Sequence, residues 1–95
     1  MISKAEVIRI LLSQTAHWAV SSEQEESPFV SLRYANYAVS SMSALTNIVS
    51  SRDISKYGKI DSQEMTSYVQ MVQNTALKRT MESESVYAAG EVEIN

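Results

Sequence analysis

Between Asp53 and Glu64 the chain reads Asp-Ile-Ser-Lys-Tyr-Gly-Lys-Ile-Asp-Ser-Gln-Glu, with an acid first, a hydroxyl third, glycine sixth, an acid ninth and glutamate twelfth. Carboxylate and hydroxyl oxygens are the donors that hard cations such as calcium select. The other chemistry-bearing residues are less organised. His17 is the sole histidine, and with no cysteine and no carboxylate at helical spacing it reads as a surface or boundary residue rather than a base or ligand. Serine and threonine are abundant, yet no Gly-x-Ser-x-Gly elbow, phosphate loop or paired-carboxylate framework accompanies them. The expectation is a protein without enzymatic activity.

The stretch from Leu45 to Val72, centred on Asp53 to Glu64, resembles an EF-hand calcium-binding loop with its flanking helices. Leu45, Ile48 and Val49 would form the inner face of the incoming helix, and Met65, Tyr68, Val69 and Val72 that of the outgoing one. The resemblance implies calcium ligation by side-chain oxygens of Asp53 and Ser55, the Lys59 carbonyl, Asp61 and the two carboxylate oxygens of Glu64. It also implies a sharp turn at Gly58 and a loop-pairing role for Ile60. Tyr57 at the fifth position and the absence of a second loop depart from the family pattern, and Lys56 and Lys59 offset its negative charge. The same residues also spell a metal-free connection. Gly58 then supplies a left-handed turn, Asp61 and Glu64 cap the next helix, and Asp53 ends the previous helix or caps a short turn at Ile54.

Several elements must position this stretch. A chain of 95 residues with 44% hydrophobic and 20% charged content supports one domain. Its short length makes a partner, a metal or self-association a plausible source of stability. A net charge of -3 and scattered basic residues argue against nucleic-acid binding. Without cysteine there is no disulfide framework and no thiolate site. Arg9 and Glu6 interrupt the N-terminal apolar run, so no signal peptide is expected, and no stretch approaches the ~20 apolar residues of a membrane span. An intracellular setting, or a soluble assembly such as a virion, is the expectation.

The patterning predicts an all-α domain over residues 1–85, a small bundle of three main helices at about 4–22, 28–51 and 62–83, followed by an acidic C-terminal extension over 86–95. Ser3 with Glu6 forms a capping box, Ser27-Pro28 is an N-cap and first-turn pair, and Asp61 caps the third helix. Val7, Ile8, Leu11, Leu12, Trp18 and Ala19 share one arc of the first helix. The second carries two apolar stripes and many small residues, which suits a central helix covered on more than one side. Lys78 and Arg79 read as cations near the end of the third helix, which is predicted to stop between Met81 and Ser85. The final segment reads as disordered or as a strand added to a partner's sheet.

The aromatic residues exceed what so small a core requires. Trp18, Phe29 and Tyr68 read as core, while Tyr34 and Tyr37, with Trp18 beside them, are the candidate protein-binding residues. Glu23-Gln24-Glu25-Glu26 reads as a solvated connection. The leading expectation is a non-enzymatic interaction or structural subunit that binds a protein partner or copies of itself. The alternative is an EF-hand-like calcium-binding module; no other cofactor is implied.

Overall fold

The computed structural model describes the backbone of residues 1–94 and the side-chain surroundings of residues 1–84. It contains helices α1 (Lys4–Gln24), α2 (Pro28–Ile48), α3 (Ser51–Gly58) and α4 (Ser62–Ile94), and no strand among the described residues. Each helix start has a local cause. Ser3 Oγ accepts from the Glu6 N–H at 3.1 Å, Ser27 Oγ from Val30 at 3.4 Å and Ser50 Oγ from Asp53 at 3.2 Å. Asp61 Oδ1 accepts from the Glu64 N–H at 3.0 Å. These bonds satisfy donors that have no partner within the first turn.

Three boundaries differ from the sequence expectation. The second helix stops at Ile48 rather than near Ser51, because Val49 turns extended (φ -135, ψ 141) and Ser50 caps a new helix. The connection expected over Asp53 to Glu64 is consequently helical up to Gly58. The last helix does not stop between Met81 and Ser85 but continues to Ile94, so the extension read as disordered or strand-forming is helical as far as that residue. No proline interrupts this segment, and its single Gly90 costs a helix only about 1 kcal/mol. Asn95 lies outside the described residues.

The left-handed residue of the α3–α4 turn is Lys59 (φ 55, ψ 40), not Gly58. Gly58 serves a different need. A Cβ there would run into the Leu12 side chain, so the missing side chain lets the end of α3 approach α1.

Antiparallel α1 and α2 form a hairpin, and α4 lies antiparallel to α2 against one side of it. That register is fixed by Gln73 bonding Asn36 at 2.9 Å and by Thr80 reaching the Pro28 carbonyl at 3.2 Å. The core comprises Ile8, Leu12 and Ala19 from α1, Ala35, Ala38, Met42 and Leu45 from α2, Ile54 from α3, and Met65, Val69, Val72 and Ala76 from α4. Ala19, Ser22, Ser31, Ala35 and Ala38 are all buried, and their small size brings α1 and α2 close together. Phe29, expected in the core, is 57% exposed. It stands two positions from buried Ser31, and residues two apart on a helix do not share a face.

Candidate functional site

The structure disperses the oxygen donors of Asp53 to Glu64 among separate folding roles. Asp53 lies on α3 and pairs with Lys4 of α1 at 3.1 Å. Ser55 Oγ accepts from the Ser62 N–H at 3.2 Å, joining α3 to the first turn of α4. Lys59 makes the left-handed turn, Asp61 caps α4, and Glu64 is exposed in the first turn that Asp61 caps. Tyr57 packs half-buried against the core. Among the described residues, no three or more His, Asp or Glu side chains gather in a group that could hold a metal ion.

The candidate protein-binding residues, by contrast, are brought together. The Trp18 ring lies 5.3 Å from that of Tyr34 and 4.9 Å from that of Tyr37, centre to centre, bridging α1 and α2. His17 adds an edge-on contact with Trp18 at 4.9 Å. Such tilted and edge-to-face pairs suit the ring quadrupoles. Trp18 and Tyr34 are half-buried, while Tyr37 is 43% exposed and His17 is exposed.

The cluster sits on the side of the hairpin away from α4. Helical geometry puts Trp18 about 140° round α1 from Glu23, and Tyr34 and Tyr37 about 140° and 160° round α2 from Val39. Glu23 accepts a hydrogen bond from the Tyr68 hydroxyl of α4, and Val39 faces Val69 and Gln70 of α4 across a small cleft. The bond to Glu23, then burial, then the charge of Glu23 push the Tyr68 hydroxyl up to about 12.

The other built arrangement, at the α1–α2 turn, has no motif in the sequence. Ser22 Oγ donates to the Ser31 carbonyl at 2.8 Å, and Ser31 Oγ donates to the Ser22 carbonyl at 2.7 Å. Each hydroxyl has one proton, so the 3.1 Å approach of the two Oγ atoms is a consequence of this ring and adds no further bond. From α4, Arg79 closes the arrangement. Nη1 donates to Ser31 Oγ at 3.1 Å, and Nη2 donates to the carbonyls of Glu25 and Glu26 at 3.1 and 2.9 Å.

Sequence reasoning placed Arg79 near a helix end, where it would have answered the helix dipole. In the longer α4 it lies mid-helix and neutralises the carbonyl-rich connector instead. Its acceptors are 48 to 54 positions away in sequence, so local spacing carried no signal. A cleft of about 480 Å³ adjoins this turn between Glu25, Met71, Thr75 and Arg79. The guanidinium on its wall is already engaged by protein acceptors.

Comparison with known proteins finds no match to any family model, curated protein or solved structure. No helix among the described residues is long and apolar enough to cross a membrane.

Proposed function

We propose that this chain is a non-enzymatic helical interaction or structural subunit of a larger protein assembly, and that it binds through the open side of the α1–α2 hairpin. The observation that carries the reading is the Trp18, Tyr34 and Tyr37 cluster, held by a rigid helix pair on the side α4 leaves uncovered. Large rings with few rotatable bonds lose little entropy on docking, and their hydroxyl and indole groups can remain hydrated at a rim. Ile8, Leu45 and Ile54 are fully buried, whereas Tyr37 is 43% exposed.

The test is the replacement of Tyr34 and Tyr37 together by Ser. Association of the chain, with itself or with a protein that co-purifies with it, should weaken by at least roughly tenfold while helicity by circular dichroism is retained. Unchanged association would overturn the reading. Calcium is the control. A calcium-dependent rise in melting temperature that disappears in Glu64→Gln would assign the Asp53 to Glu64 stretch to cation binding instead.

A further inference from the structure

We infer that the occupant of the aromatic side of the hairpin is the projecting end of α4 from a second copy of this chain, which gives head-to-tail association. The inference rests on the proposed binding role of that side and names its partner.

The first observation is geometric. Thr80 lies level with Pro28, the first residue of α2, and α4 continues in the same direction to Ile94. At about 1.5 Å per residue, Met81 to Ile94 projects ~21 Å past the start of α2. The long dimension of 60 Å, against 23 and 20 Å across, reflects this overhang. The axis of α4 beyond Thr80 leads away from the Trp18 cluster of the same chain, so the segment cannot reach that cluster without breaking the helix.

The second observation is electrostatic. The sequence of the projecting segment contains Glu82, Glu84, Glu91 and Glu93 and no lysine or arginine. The middle of the hairpin carries no acid. From Ile10 to Ser22 its only titratable residue is His17, and from Pro28 to Ile48 its only charged residue is Arg33. Arg33 and His17 are both exposed and each adjoins a ring of the cluster in sequence. An acidic helix therefore meets an acid-free surface with a guanidinium at its edge, whereas two copies of that surface brought together would oppose arginines. Electrostatic complementarity of this kind selects orientation and partner.

The third observation is length. A projection of ~21 Å fits along helices of 21 residues, which are about 31 Å long. Donor and acceptor are different parts of the molecule, so the contact is heterologous and propagates into a ring or an open chain rather than stopping at a dimer.

Sedimentation of two complementary variants tests this. The acceptor variant is Arg33→Glu with Tyr37→Ser; the donor variant carries Glu82→Gln, Glu84→Gln, Glu91→Gln and Glu93→Gln. The parent chain should grow in mass with concentration and shrink with added salt, while each variant alone should associate at least roughly tenfold more weakly. Mixed in equal amounts, the two variants should give a species of two chains and nothing larger, because each retains the half the other lacks. Helicity is checked for each variant, and Arg33→Gln replaces the acceptor change should that variant unfold. A parent that stays monomeric, variants that associate as the parent does, or a mixture that stays monomeric would each overturn the inference. A monomeric parent that still holds a different protein through Tyr34 and Tyr37 would overturn it while leaving the proposed binding side intact. Association insensitive to Tyr34 and Tyr37 would instead overturn the binding side itself.

Discussion

At the end of the bundle where α1 turns into α2, buried hydroxyls close a ring across two helices and Arg79 reaches in from a third. At the other end, where α3 joins α2 to α4, the polar groups mostly serve the nearest helix start, and an ion pair, Lys4 to Asp53, is exposed on the lysine side. The end with the recognisable motif is thus held mostly by caps within single helix starts, and the end without one by buried bonds that cross between helices. A hydrogen bond that satisfies a buried group is expensive to remove, whereas water readily replaces a partner at an exposed cap or pair. Mutation should separate the two ends clearly.

The largest effect should come from Arg79→Met, which keeps the aliphatic stem but leaves the Ser31 hydroxyl and two connector carbonyls without their cation. A loss of about 2–4 kcal/mol in chemical denaturation is expected. Ser31→Ala should follow, at about 1–3 kcal/mol, since it leaves the Ser22 carbonyl only its 3.3 Å bond from the Glu25 N–H and leaves one arm of Arg79 without its acceptor. A cost below that of an exposed cap would break the comparison. At the opposite end, Asp61→Ala should cost about 1 kcal/mol, the usual value for a lost N-cap. Gly58→Ala is the exception there: the new methyl meets buried Leu12, and overpacking should cost about 1–2 kcal/mol even though alanine favours a helix.

The smallest effect concerns pH. Tyr68 is held protonated in the fold by its bond to Glu23, with its hydroxyl at about 12 against 10.0 ordinarily. The unfolded chain releases this proton first as pH rises, so the contribution is present below about 10 and fades between about 10 and 12. Parallel melting curves of the parent and Tyr68→Phe should converge across that interval. Curves that remain equally spaced would show that the bond to Glu23 adds nothing to stability.

The same contrast governs what could be read in advance. Ser3, Ser27, Asp61 and the apolar arcs of α1 and α4 were legible because a cap and the first turn it serves lie within three positions, and helical faces repeat every three to four. Val49 and Ser50 were not, since a β-branched residue before a serine can continue a helix or break it, and here the break starts the short helix whose Ile54 is fully buried in the core. Phe29 misled for a related reason: its hydrophobicity was apparent, but its place on the outer side of α2 depends on which residues that helix buries. Tyr34, Tyr37 and Trp18 were picked out by composition, and their meeting across two helices required the antiparallel register. The Asp53 to Glu64 pattern was conspicuous as a string because caps, turns and cation loops draw on the same residue types.

The serine ring also bears on the order of folding. Its two residues are nine positions apart, whereas Arg79 must find acceptors about fifty positions away. Closing the short loop forfeits less chain entropy, so the α1–α2 hairpin can form as a nucleus with its hydroxyls already paired. The arginine is then expected to act late, on a turn closed before α4 docks, and substitution at Arg79 should speed unfolding more than it slows folding.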